Sequence, residues 1–568
     1  MHSQAPEIIS TWTVFDRSTG ARTTNSDTHL EISNVGGNDG EVILDYGRCE
    51  GGVPIFVVKH AVSSEGDHDV PFRVVYSETR EGISHDTGEN PHSPTQMKEV
   101  ILTFAIVGDG PLFLFSNAMD SYRCNLHNAA SGSRNQTIRA RFIQASQRYQ
   151  KIKLTSPNTT IVFSNIGFER VRPEIPPKAN FQCSDPIINR IWRDGMRTVD
   201  MCTVKRGETK PAWDITPHGT RIYGGHWAPC RQGTRWKDKT VTFETRIDAH
   251  GASWGVQMVA NGLIFCLDAE KKTLDAHIGL SNSSGTFPSR HMGSWTLPQS
   301  VVLADWIQIA TVCRGDKVTV AIQGHQIAAL DGLIVQPLLG GASINTGSVA
   351  FGGPAGWIAT YRNLTVTGID RSLYYRNSFL QKDAERTYAD FQIGTNQLSC
   401  LIDGAKRDRA CFGGDAFVTG RSIAYSTGDL ETWRGSLQLL MSHQTRDGLL
   451  GNLCPIQAPE HETEDEPPTY AFYSLAYALL LVVSVKDYWF HSGDDSFIET
   501  YFKKMQAQMR LAARYVNRGG LVDAPPHLSS KWSSPNNSID SANDNPSDLV
   551  SDGWSSNRPI CKYQPGIF

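Results

Sequence analysis

Charge of one sign is scarce in this 568-residue chain: 54 Lys and Arg stand against 58 Asp and Glu, a net charge of −4. A protein that coats nucleic acid or an anionic membrane needs clustered cations, so neither partner is expected. No apolar run reaches the ~20 residues that a helix needs to cross a bilayer. The longest, Tyr470 to Val485, is broken by Ser474 and Ser484 and reads as a buried helix. Eleven cysteines are scattered without a Cys-x-x-Cys or a repeated His/Cys spacing, which excludes a common zinc site and a disulfide-dense scaffold. The odd count leaves at least one thiol unpaired within the chain. A P-loop lysine motif and a Rossmann fingerprint are also lacking, so no cofactor and no metal is expected. The opening residues Met1-His-Ser-Gln-Ala-Pro-Glu carry neither a basic nor an apolar segment, and no signal peptide is visible. Five sequons, at Asn135, Asn158, Asn282, Asn363 and Asn536, point the other way, to a secreted glycoprotein.

What the chain does have is length for three or four domains of ~150 residues and a clear change of pattern along it. Residues 1–172 show short β-like runs, such as Glu41–Tyr46 and Ile55–Val58, between Gly, Asn, Asp and Pro clusters; this predicts an N-terminal β-sandwich. A proline-rich linker follows at Pro173–Pro177. Ser184 is placed to cap a helix with Asp185-Pro186 in its first turn and Ile187, Ile191 and Val199 on one face, giving a linker and first helix over 173–203. From 204 to 368 the pattern alternates again. Val241, Phe243, Thr245 and Ile247 share a strand face, and Arg314-Gly315-Asp316 turns one β-run into the next, with Gly324 closing it. This stretch resembles laminin G-like and concanavalin-like jelly rolls, a fold that binds carbohydrate in some proteins and only packs in others. Its Gly251-Ala-Ser253-Trp-Gly255 fits the Gly-x-Ser-x-Gly spacing of a nucleophile, but β pattern continues beyond it where an elbow needs a helix.

After residue 369 the period becomes helical. Trp433, Leu437, Leu440 and Met441 fall on one face of a helix that Gly448 is expected to end, and Ile498, Tyr501, Phe502, Met505 and Met509 mark another. Between them Pro459–Pro468 is an acidic segment, read as a solvated loop rather than a calcium site. The last forty residues, 529–568, hold ten serines and no helical period, and read as an irregular, disordered tail.

Chemistry concentrates at Asp403-Gly-Ala-Lys-Arg407-Asp408-Arg409-Ala-Cys-Phe412-Gly413-Gly414-Asp415. Acids held this close cannot all keep ordinary pKa values, so one can stay protonated and act as a proton donor. Gly413-Gly414 is expected to turn the backbone sharply, with Asp415 capping the helix that follows. The pattern of Asp, three residues, Arg-acid-Arg, then Gly-Asp and a helix resembles glycoside hydrolase family 78, the α-L-rhamnosidases, whose catalytic fold is a six-hairpin (α/α) barrel. The resemblance implies that Asp408 is the general acid and that Asp403, Arg407 and Asp415 hold the rhamnose hydroxyls. Two departures are visible: the family acid is usually Glu, and Phe412 stands where a Trp is usual. Fungal-looking relatives share the Asp-Gly-Ala-Lys-Arg-Asp-Arg form.

The implied fold is thus multidomain β plus α: an N-terminal β-sandwich, a jelly-roll insert at 204–368 and an incomplete (α/α) six-hairpin barrel at 369–528. In relatives the first barrel helix leads almost directly to the acidic loop, whereas here some two hundred residues intervene. A family barrel has about twelve helices; this chain shows about five. The family's general base is a Glu on a later hairpin, and no residue here matches it. The implied activity is inverting hydrolysis of terminal α-L-rhamnosides, with turnover lost if the base is missing. The alternative is a non-catalytic protein that binds carbohydrate through the insert. The expected partner in either case is a rhamnose-containing carbohydrate, and secretion is implied by the resemblance alone.

Overall fold

The computed structural model describes residues 8–17, 21–23, 29–64, 69–84, 101–103, 119–120, 125–132, 134–225, 227–233, 235–259, 261–279, 290–335, 345–354, 356–403, 409–451, 453–461, 475–523 and 531–533. Its N-terminal region is mostly β-sheet and its C-terminal region helical.

The N-terminal region is organised by one strand. Strand β1 (Glu41–Ser63) is 23 residues long and belongs to two neighbourhoods. Its first half pairs antiparallel with β3 (Ile143–Leu154), which in turn pairs with β2 (Val70–Ser77). Its second half pairs with β4 (Thr159–Glu169). The change of neighbour falls at Gly51-Gly52. Gly52 has φ +145°, and a Cβ there would stand 2.9 Å from the carbonyl carbon of Glu169, so only glycine fits. Phe56, Phe72 and Phe163 fill the space beneath, with Phe72 edge-on to both others at 5.3 and 5.4 Å.

Among the described residues the insert is a two-layered sandwich of an eight-stranded and a six-stranded sheet. In the larger, β5 (Gly219–Tyr223), β10 (Ile358–Gly368), β6 (Lys239–Ala249), β8 (Ile307–Arg314) and β9 (Lys317–Ile322) lie in that spatial order. Alternation works as the sequence implies: Val241, Phe243 and Thr245 are buried, and Ile247 packs on the same core. Arg314 pairs with Lys317 across the two-residue turn Gly315-Asp316. The opposing sheet contributes Trp254, whose indole N–H donates to Thr311 Oγ1 at 3.0 Å. Ser253 lies on the regular strand β7 (Gly251–Val259) with its hydroxyl buried, in no elbow. The core of this unit continues past residue 368 to Phe379, Phe391 and Ile393.

Seven helices are described: α1 (Arg80–Ser84), α2 (Pro186–Met201), α3 (Ala384–Phe391), α4 (Gly413–Ala424), α5 (Leu430–Ser442), α6 (Leu475–Ser492) and α7 (Asp495–Arg514). No closed barrel forms among the described residues. Helix α4 packs on α5 and α6 around Trp433, which is fully buried and donates to Ser484 Oγ at 3.0 Å. Among the described residues no helix is long and apolar enough to cross a membrane. The insert leaves and rejoins this helical part through one seam: Thr203 pairs with Leu401 and Val204 with Cys400.

Several expectations are corrected. Asp185, not Ser184, caps α2, its side chain accepting from Ile187 N, because Pro186 then occupies the first turn. Ile187 and Ile191 are exposed, since only the last turns of α2 around Val199 meet the helical core. Helix α5 ends at Ser442, and Gly448 instead makes a turn in which Gln444 bridges Leu450. On α7 the buried side is set by Phe497, Gln508 and Leu511, which leaves Phe502 exposed. Within the expected tail, Lys531–Ser533 pair antiparallel with Ile101–Thr103, so backbone hydrogen bonding there replaces irregular chain. The remainder of the tail, most of the acidic segment (residues 462–468) and residues 470–474 of the apolar run lie outside the described residues.

Candidate active site

The described residues that flank the charge-rich stretch belong to two short ladders. Strand Cys400–Leu401 ends beside Asp403, and strand Ala410–Phe412 pairs with Leu453–Pro455. Asp403 is tied to Ala410: its N–H donates to Ala410 O at 3.0 Å and its carboxylate accepts from Ala410 N at 3.1 Å. Arg409 is fully buried, with φ +53°, an unusual backbone conformation for a long side chain. Arg407 and Asp408 lie outside the described residues.

Phe412 is the N-cap of α4, so Gly413-Gly414 are already helical and Asp415 is the third residue of the first turn. This corrects the expected cap. Gly414 serves packing instead: a Cβ there would lie 2.7 Å from Cζ of Tyr477. Tyr477 also meets the Phe412 ring edge-on at 6.4 Å. Asp415 sits where unsatisfied N–H groups and the helix dipole favour a carboxylate.

Asp403 and Asp415, twelve positions apart, both lie within electrostatic reach of Cys202 at the end of α2. Burial pushes the Cys202 thiol up to about 12, and the negative charges of Asp403, Glu78 and Asp415 push the same way, opposed by Arg409. Glu78 was not legible as a site residue. It follows β2 in the N-terminal sheet, and only the tertiary fold brings it within electrostatic reach of Cys202. The helices behind are tied by ion pairs, Arg421–Asp487 at 2.7 Å between α4 and α6, and Lys205–Asp429 at 2.6 Å at the start of α5.

A separate cavity of about 90 Å³ lies between the N-terminal sheet and α2. It is walled by Glu50, Arg170, Arg172, Arg197, Asp200 and Glu208 and contains neither Asp403 nor Asp415. Its ion pairs, such as Arg172–Asp200 at 2.7 Å and Arg197–Glu50 at 3.2 Å, fasten the two regions together.

Residues 388–556 match the model of the bacterial alpha-L-rhamnosidase six-hairpin glycosidase domain. This segment is rhamnosidase-like. All four site residues of the sequence reading, Asp403, Arg407, Asp408 and Asp415, fall inside the rhamnosidase-like segment. Among solved structures, a rhamnosidase from Klebsiella oxytoca with rhamnose bound aligns at 10% identity and a TM-score of 0.39. The alignment covers 91% of this chain, which spans 59% of the length of that rhamnosidase. The carbohydrate-binding module CBM66 from Bacillus subtilis aligns at 13% identity over 28% of this chain and 91% of its own, with a TM-score of 0.21. Chicken galectin 2 aligns at 12% identity over 25% of this chain and 97% of its own, with a TM-score of 0.18. No curated protein matches the chain in sequence.

Proposed function

We propose that this chain is a glycoside hydrolase acting on terminal α-L-rhamnosides by inversion. Asp408 protonates the glycosidic oxygen, while Asp403, Arg407 and Asp415 hold the rhamnose hydroxyls. The observation that carries the reading is a rhamnosidase-like segment in which Asp403 and Asp415 both lie within electrostatic reach of Cys202. Neighbouring carboxylates suit the reaction, because an oxocarbenium-like ring is stabilised by nearby negative charge while one protonated carboxyl donates its proton to the departing glycosidic oxygen. Inversion further requires a second carboxylate about 6.5–9.5 Å from the acid to activate water. No residue of this chain is assigned to that step; the limits 1–172, 173–203 and 529–568 belong to the same proposal, with the insert carried from 204 past 368 through Ile393 to the seam at Cys400.

The test is release of nitrophenol from an aryl α-L-rhamnoside by the purified chain. Turnover that disappears in Asp408→Asn while rhamnose binding persists supports the acid assignment. Equal turnover in Asp408→Asn overturns it. If the folded chain binds rhamnose, loses that binding in Asp415→Ala, and never turns over, the pocket is a sugar-binding site rather than a catalytic one.

A further inference from the structure

The larger sheet of the insert turns an ordered polar array away from the core. Arg221 on β5 and Arg246 on β6 both stand opposite Thr360 on β10, and Glu244 stands opposite Arg362. The intervening residues Thr220, Thr245 and Tyr361 point inward and are buried. Over this array lies Trp306, immediately before β8. The Arg362 guanidinium sits 3.8 Å from its ring centroid and that of Arg246 5.5 Å away. Gly219 makes room for the indole, since a Cβ there would stand 3.2 Å from its Cη2.

The charges do not balance. Glu244 is engaged by Arg362, at 2.6 Å from Nη2, and by Asn363 Nδ2 at 3.0 Å. Asp248 is shared by two cations, Arg246 at 3.2 Å and Arg221 at 3.4 Å, and accepts from Thr360 Oγ1 at 2.6 Å. Asp214 stands opposite Arg221 on the neighbouring strand and pairs with Arg141 at 2.7 Å, so four guanidinium groups share three carboxylates, leaving one positive charge over. Arg221 and Arg246 reach Asp248 through part of their five-donor forks only, and each side chain is 45% exposed where Asp248 is 14%. The Trp306 indole N–H makes no hydrogen bond among the described residues.

We propose that this face binds a carboxylate-bearing oligosaccharide: the outer edges of Arg221 and Arg246 take the carboxylate, and the Glu244 and Asp248 oxygens accept from sugar hydroxyls. A densely charged polyanion such as nucleic acid is disfavoured, because the two acids set among the arginines would face its phosphates. A chain that alternates a carboxylate with neutral hydroxyls meets both signs of the array. The choice of a sugar over other carboxylates rests on the glycosidase reading of the helical segment; the array itself does not.

The experiment is calorimetric titration of the full chain, made in a bacterial host so that the sequon at Asn363 carries no glycan, with a galacturonic acid trimer and with its methyl ester. The acid is expected to bind about tenfold or more tighter than the ester, and the Arg221→Gln, Arg246→Gln double variant to lose that difference while melting like the parent. Asp415→Ala is expected to leave affinity for the trimer unchanged. Equal affinity for acid and ester, undiminished binding in the double variant, or no binding of the trimer to folded protein would each overturn the proposal. Loss of binding in Asp415→Ala would move the ligand to the acidic loop and also overturn it. Failure of aryl-rhamnoside hydrolysis touches only the glycosidase reading, so the two can fail separately.

Discussion

A single methyl group at Gly420 should destabilise the helical region although it improves the helix. Gly420 lies on α4, where alanine is intrinsically better than glycine by about 1 kcal/mol. Its missing Cβ, however, would stand 2.5 Å from Cζ2 of Trp433, and closer still to Cε2 and Nε1. Ordinary contact needs about 3.5–4.0 Å. The indole cannot swing aside, because it is fully buried and hydrogen-bonded to Ser484. Overpacking costs about 1–3 kcal/mol, and an overlap this deep belongs at the upper end. Subtracting the gain in propensity leaves a net loss of about 2 kcal/mol. For a cooperative unit of 150–250 residues this lowers Tm by about 4–8 °C. Thermal melts followed by circular dichroism read it directly. In the Trp433→Phe background the added methyl should cost much less, since the indole atoms it strikes are gone. An unchanged or raised Tm in Gly420→Ala would refute the reasoning.

Other consequences are smaller. Asp415→Ala should weaken rhamnose binding, by about tenfold or more if the carboxylate holds a hydroxyl, as read by titration with rhamnose. Hydrogen bonds from Ser496, Tyr488 and Phe497 N, with Arg434, hold the Asp494 carboxyl at about 2 against burial, so it is depressed in the folded chain. Its contribution is present above about pH 4 and lost as pH falls toward 2, and Asp494→Ala should flatten that part of a pH–stability curve. His443 is fully buried, and burial lowers it to about 3. The unfolded chain therefore binds a proton that the native one refuses, and stability should fall as pH drops from about 6.5 toward 3. Replacement by Gln should reduce that slope in denaturant melts at stepped pH. Gly52→Ala should destabilise the N-terminal sheet, because φ +145° and the Glu169 carbonyl leave no room for a side chain; a melt unchanged in that region would contradict this.

Patterns with short periods were legible in sequence, and facts set by distant partners were not. Alternation placed Val241, Phe243 and Thr245 on the inner face of β6, and the 3.6-residue period placed Trp433, Leu437 and Leu440 in the core. The same period failed for Ile187 and Ile191, because a stripe shows which face is apolar without showing what covers it. Asp415 looked like a cap because acids and glycines precede helices; the deciding fact was the Tyr477 ring against Gly414, some sixty residues away. Glu78 has no motif around it, and the array on β5, β6 and β10 joins residues far apart in the chain. Neither could be read before the chain was folded.

The seam at Thr203–Val204 and Leu401–Cys400 makes the insert a guest with adjacent doorposts. Paired antiparallel residues stand about 4.5–5.5 Å apart, so the host chain is geometrically continuous whether or not the guest is present. A turn of two residues would close the gap, and the guest's own termini are pre-positioned for joining or for transplantation. Gly207 N to Asn396 O at 3.0 Å and Asn396 Nδ2 to Lys205 O at 2.7 Å extend the zip one step into the guest, fixing the direction in which it is displayed. Such a junction lets the two units change their surfaces independently.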